Sequence, residues 1–137
     1  MNSKSLLFRL CWWLPFGRVP EISPSGLIKI LEDPASRPQL LDVRTRREWR
    51  KGHIRGSVNI PIHHLSSCLH ALDFDHKKSV VTICLTAHRS IPAVRLLRCN
   101  GYQDVAQLSG GMMAWRREQL PVERDDSRSP TMQNFLK

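Results

Sequence analysis

Ser79-Val80-Val81-Thr82-Ile83-Cys84-Leu85-Thr86-Ala87-His88-Arg89-Ser90 is the stretch that decides how this chain folds. Its first half is a run of β-formers and predicts a buried strand. Ser90 to Asn100 reads as a helix, with Pro92 in the first turn, where proline is tolerated, and Gly101 at the C-cap. Cys84 therefore falls between the end of a strand and the start of a helix. Backbone N–H groups at a helix start lack partners and carry partial positive charge. They favour thiolate over thiol, and thiolate is the nucleophile. The same groups can hold an anion above the sulfur. Arg89 adds a planar, permanently charged fork suited to an oxyanion. One short loop thus supplies a nucleophile, a means of activating it and an anion cradle.

Strands and helices alternate on both sides of this loop. Upstream, Ser23-Pro24 reads as an N-cap followed by proline at the first helical position, Leu27, Ile30 and Leu31 mark one helical face, and Asp33-Pro34 stops the helix. Gln39 to Val43 is a short apolar strand. Arg46 to Lys51 is a brief helix ended by Gly52. Ser57 to Ile60 is a second strand stopped by Pro61, and His63 to Leu72 is helical. Downstream, Val105 to Leu108 predicts a strand, Gly110-Gly111 a turn and Met112 to Gln119 a helix. Such alternation implies an α/β fold with a parallel sheet flanked by helices on both faces. In such sheets ligands bind beyond the carboxyl ends of the strands, where the order of residues puts Cys84.

At 137 residues, with 41% hydrophobic and 24% charged content, the chain suits one globular domain. Its net charge of +9 favours anionic partners. The bland reading of Arg44, Arg46, Arg47, Arg50, Lys51 and Arg55 around Glu48 is a solvated basic face. Nucleic acid binding is not expected, because no binding motif or interleaved aromatic platform is present. The four cysteines, Cys11, Cys68, Cys84 and Cys99, show no zinc-type spacing, and no metal or cofactor is expected. Cys68 and Cys99 read as small buried hydrophobes. A reactive thiol argues for a reducing, cytoplasmic setting.

Residues 1–19 form an apolar and basic extension. Leu6 to Phe16 is too short to span a bilayer and lacks a signal-peptide cleavage site. Its bland reading is a segment that folds back on the domain or is partly disordered. The alternative is peripheral membrane or protein contact through Trp12, Trp13 and Phe16 beside Lys4, Arg9 and Arg18. The domain proper covers 20–122, and 123–137 reads as a polar, flexible tail.

Leu41-Asp42-Val43-Arg44, Glu48-Trp49 and Gly52-His53-Ile54-Arg55-Gly56-Ser57-Val58-Asn59-Ile60-Pro61 resemble the first half of a rhodanese domain. Val81-Thr82-Ile83-Cys84, Arg89-Ser90, Gly101-Tyr102 and Leu108-Ser109-Gly110-Gly111-Met112-Met113-Ala114-Trp115 resemble its second half. The resemblance covers about residues 20–122 and implies a rhodanese-like three-layer fold. It also implies a sulfurtransferase, with Cys84 carrying a transient persulfide and Arg89 as the electrostatic element of the loop. Leu85, Thr86, Ala87, His88 and Ser90 would line the substrate, with Ser90 both capping the helix and stabilising the sulfur. Asp42 would accept hydrogen bonds that organise this side of the sheet, and Arg44 would pair with an acid such as Glu48. His88 needs no acid–base role, since an ionised thiol attacks sulfur without proton removal. His53 is implied to be structural.

The loop departs from common family patterns at Leu85, where a polar or basic residue is frequent, and at Ala87, where glycine is frequent. Leu85 argues against strong thiosulfate binding. Ala87 requires a backbone that avoids positive φ or tolerates its strain. The expected donor is a small anionic sulfur compound, thiosulfate or a persulfide, and the expected acceptor a thiol, cyanide or protein. The alternative is a rhodanese-like binding or sulfur-carrier module without turnover. A phosphatase or arsenate reductase on the same fold would use a longer loop than the four residues between Cys84 and Arg89.

Overall fold

The computed structural model describes residues 17–125. Five parallel strands form one sheet: β1 (Glu21–Ile22), β2 (Gln39–Asp42), β3 (Val58–Asn59), β4 (Val80–Ile83) and β5 (Val105–Leu108), in the order β1-β5-β4-β2-β3. The sheet is covered by α1 (Pro24–Leu31), α2 (Arg46–Lys51), α3 (Ile62–Cys68), α4 (Ser90–Cys99) and α5 (Gly111–Arg117), with a 3-10 turn at Leu69–Ala71.

The covering is two-sided because the strand residues alternate between two cores. Leu41, Val80, Cys84 and Val105 pack with Leu65 of α3 and with Ala93, Val94 and Leu97 of α4. Leu40, Val81, Ile83 and Leu108 pack with Leu27 of α1 and with Met112 and Trp115 of α5. All of β4 is buried, as expected for the middle strand of a parallel sheet with both faces covered. Each fully buried large apolar side chain, such as Trp115 or Leu41, contributes roughly 1.5–3 kcal/mol relative to exposure.

The predicted elements stand with small shifts. Ser23 caps α1, accepting from the Gly26 N–H at 3.0 Å. The expected helix over 63–72 is α3 followed by the 3-10 turn. The edge strand β1 is an addition. Two residues carry no strand signal, and β1 exists because β5 offers a free edge: the Gln107 N–H donates to Pro20 O and the Ser109 N–H to Ile22 O, both at 2.9 Å. The first residues assigned to the tail are tied down, since Glu123 and His53 exchange backbone hydrogen bonds of 2.8 and 2.9 Å. The expectations for residues 1–16 and 126–137 lie outside the described residues. Among the described residues, no helix is long and apolar enough to cross a membrane, and no group of three or more His, Cys, Asp and Glu is placed to hold a metal.

Candidate active site

Cys84 follows the last residue of β4, at the carboxyl edge of the middle strand, and is 1% exposed. The loop from Cys84 to Arg89 is held from behind by the start of α5. The Met112 N–H donates to Cys84 O at 2.8 Å and the Met113 N–H to Leu85 O at 3.0 Å. This approach needs glycine at 111. A Cβ there would fall on the Cys84 carbonyl oxygen and 2.6 Å from the Leu85 carbonyl carbon and oxygen, and φ is +60°. The first two loop carbonyls, of Cys84 and Leu85, thus find donors in α5. Among the described residues, no N–H from Leu85 to Arg89 is given to a backbone carbonyl. A loop whose first carbonyls are turned to a helix and whose N–H groups are unspent is a site for an anion.

Leu85 is half-buried, Thr86 and His88 are exposed, and Ala87 is buried. Thr86 Oγ1 and His88 Nδ1 are 3.1 Å apart. Ala87 adopts φ +79°, so the loop takes the strained alternative; a non-glycine residue here costs on the order of 1–2 kcal/mol. The packing of Ala87 into the core around Cys84 holds it there.

Three expected side-chain roles are corrected. Ser90 does not cap α4. Arg89 occupies the N-cap position with φ −71° and ψ −18°, already helical, so the extended geometry that a side-chain cap requires is absent. Ser90 is wholly buried, and its Oγ has no hydrogen-bond partner. Arg44 does not pair with the Glu48 carboxylate. Its guanidinium lies on Asp42, with Nη2 to Oδ2 at 2.7 Å and Nε to Oδ1 at 3.0 Å, both residues at most 1% exposed. Nη2 also donates to Gly52 O at 2.8 Å. Asp42 further accepts from the Arg44 N–H at 3.1 Å, so it does organise this side of the sheet.

Arg89 does not present a free fork. It grips Glu48, with Nη1 to Oε2 at 2.9 Å and Nη2 to Oε1 at 3.0 Å. Glu48 is spoken for twice, because Oε2 also accepts from the Thr45 N–H at 2.9 Å while Thr45 Oγ1 accepts from the Glu48 N–H. That reciprocal pair is a capping box. Partial burial acts to raise the Glu48 carboxyl, but the bonds from Arg89 and Thr45 outweigh it and hold the group below its ordinary value. The Arg89 guanidinium is pushed up, first by its hydrogen bonds to Glu48, against burial, and then by the charges of Glu48, Cys84 and Asp42.

Sequence reasoning missed Glu48 as the arginine's partner and Gly111 as the loop's support. The spacing Thr45-x-x-Glu48 was a visible signal for the capping box. Nothing local signals a bond from residue 48 to residue 89. His53 is structural as expected, stacked on Trp49 with ring centroids 3.8 Å apart and its Nδ1 2.8 Å from Trp49 O.

The family model of the rhodanese-like domain matches residues 23–118. A sulfurtransferase of Allochromatium vinosum is 33% identical over 104 residues, covering 76% of this chain and 94% of that protein. A helix-turn-helix-type transcriptional regulator of Mycobacterium tuberculosis is 40% identical over 86 residues, covering 61% of this chain but 37% of the regulator. Among solved structures, a protein of Anabaena superposes with a TM-score of 0.71 at 31% identity, covering 84% of this chain and 90% of that one. A rhodanese-related protein of Thermoplasma volcanium gives a TM-score of 0.69 at 29% identity, over 78% of this chain and all of that one.

Proposed function

This chain belongs to the rhodanese-like domain family, and from that premise we propose that it is a sulfurtransferase working through a persulfide on Cys84. The Cys84 thiolate attacks the outer sulfur of a donor, thiosulfate or a persulfide. The donor's S–S bond breaks, its remaining half leaves with the electron pair, and a Cys84–S–S⁻ forms. An acceptor thiolate or cyanide then attacks the terminal sulfur and releases the Cys84 thiolate. Sulfur changes partners in two balanced displacements, and no outside oxidant or reductant is consumed.

The observation that carries this reading is the loop's arrangement: carbonyls of Cys84 and Leu85 bonded to α5, and N–H groups of 85–89 unspent. Those donors suit the charge of a terminal persulfide sulfur. The buried, unpartnered Ser90 Oγ offers one more donor on the same loop. Arg89 serves as a positioning residue with fixed positive charge near Cys84, anchored by Glu48. The four residues between Cys84 and Arg89 suit a single sulfur better than a tetrahedral oxyanion.

Intact mass after incubation with thiosulfate or glutathione persulfide tests the reading. A gain of one sulfur atom, removed by a thiol and absent in Cys84→Ser, is expected. A wild-type protein that gains no sulfur from either donor, or a Cys84→Ser variant that still turns over, removes Cys84 from the chemistry.

A further inference from the structure

α2 is too short to stand alone. It has six residues and buries only Trp49, and an isolated helix of fewer than about 12–15 residues is marginal in water. Its order therefore depends on its two ends. The amino end is closed by the Thr45–Glu48 box, whose carboxylate also grips Arg89. The carboxyl end presents carbonyls that need donors from outside the helix. Arg44 Nη1 serves Glu48 O at 3.4 Å. Arg50 O is served from much further along the chain, by the Asp125 N–H at 3.2 Å.

Asp125 closes a short strap that begins just past α5. Trp115, wholly buried, donates its Nε1–H to Pro121 O at 2.9 Å. Two residues on, Glu123 and His53 exchange backbone bonds of 2.8 and 2.9 Å as an antiparallel bridge. Asp125 then reaches Arg50 O, and its carboxylate lies 3.3 Å from Arg50 Nε. The strap thus joins α5 to the carboxyl end of α2. These are the two helices that hold the Cys84 loop: α5 through the N–H groups of Met112 and Met113, and α2 through Glu48 on Arg89. Loop, α5, strap and α2 close a ring of hydrogen-bonded links.

We propose that residues 121–125 position the Cys84 loop from a distance. The strap holds the carboxyl end of α2, α2 so held keeps Glu48 on Arg89, and release of the strap loosens the loop. Glu123 and Asp125 act through their backbone N–H groups, so the Glu123 side chain is replaceable and its N–H is not. A partner that draws 121–125 away opens the loop without touching it. The coupling concerns the thiol's surroundings and holds whether or not that thiol carries sulfur.

The test is the rate of iodoacetamide labelling at each cysteine, read by peptide mass. Cys84 is 1% exposed, so the reagent reaches its sulfur only when the loop opens, and the rate follows the open population. Cys68, 6% exposed in the core beneath α3, reports opening of the core as a whole. Glu123→Pro removes the donor to His53 O and should speed labelling of Cys84 about threefold or more, the factor that one net hydrogen bond commands, with Cys68 unchanged. Glu123→Ala keeps the N–H and gives up only an exposed 3.4 Å pair with Arg55, so it should match the wild type. Asp125→Pro removes the donor to Arg50 O and should repeat the proline pattern; it decides the matter if Glu123→Pro does not fold. In a Glu48→Gln background, where Arg89 is already released, Glu123→Pro should add nothing. Unchanged labelling of Cys84, an equal rise at Cys68, an alanine that acts like the proline, or a full proline effect without Glu48 overturns the proposal. Sulfur transfer is scored separately: a protein that moves no sulfur yet shows this pattern upholds the strap and refutes the catalytic reading, and transfer without the pattern does the reverse.

Discussion

Gly111→Ala is the sharpest probe of the link between α5 and the Cys84 loop. Two costs add. At φ +60° an alanine pays roughly 1–2 kcal/mol of backbone strain. Its Cβ would also fall on the Cys84 carbonyl oxygen and stand 2.6 Å from the Leu85 carbonyl, where ordinary contact begins at 3.4 Å, so loop and helix must part by at least about 0.8 Å. That movement stretches the 2.8 and 3.0 Å bonds from Met112 and Met113, each worth about 0.5–1.5 kcal/mol net. The sum is about 2–5 kcal/mol, together with a displaced sulfur. Gly56→Ala is the control. Its φ is +80°, but nothing lies within 4 Å of the added Cβ, so only the backbone cost of roughly 1–2 kcal/mol applies. Urea unfolding of both variants measures the costs, and initial rates of sulfur transfer report the loop. Gly111→Ala should be the less stable of the two and lose at least about tenfold in rate, because a shift near 1 Å in a reacting group is costly. Equal stabilities and equal rates for the two variants would refute the idea that α5 sets the loop.

Leu85→Arg should lower the KM for thiosulfate about tenfold, since a basic side chain at the loop's second position gives the sulfonate a charge-assisted bond; steady-state kinetics with no change in KM would count against the reading of this position. Arg44→Met should destabilise the protein by roughly 3–5 kcal/mol by stranding the buried Asp42 carboxylate, and Asp42→Leu combined with it should recover part of that loss; chemical denaturation of the pair decides. Glu48→Gln should slow turnover at neutral pH by releasing Arg89. Because the Glu48 carboxyl is held below its ordinary value, its contribution to stability is complete above the ordinary carboxylate range, about 4.3, and disappears as pH falls through the lowered value. Unfolding curves of wild type and Glu48→Gln should therefore converge on acidification; a stability gap that persists in acid would exclude the ion pair as its source.

The order of elements was legible because each rests on local signals. Val80–Ile83 is a compact β-forming run, Ser23-Pro24 a start signal, and Gly101, with φ +92° just past α4, a stop. Cys84 was legible for the same reason, standing where a strand gives way to a helix. The partners of the arginines were not. Arg44 and Glu48 have helical spacing, but Arg44 precedes α2, so its side chain turns back to Asp42 and Gly52 O. Arg89 finds Glu48 across 41 positions, which only the folded sheet brings about. The β1 strand and the positive φ of Ala87 were hidden likewise. A two-residue strand takes its identity from its neighbour, and a strained backbone from the packing around it.

The double engagement of Glu48 has a consequence for motion. The carboxylate that closes the first turn of α2 is the one that grips Arg89. Fraying of that turn, ordinarily an inexpensive local opening, therefore frees the arginine in the same event. The exposed Thr45 and the N–H of Glu48 then act as remote reporters. Their amide exchange rates should rise and fall together with the order of a loop about forty residues away, and a ligand that steadies Arg89 should slow exchange at the start of α2 without touching it.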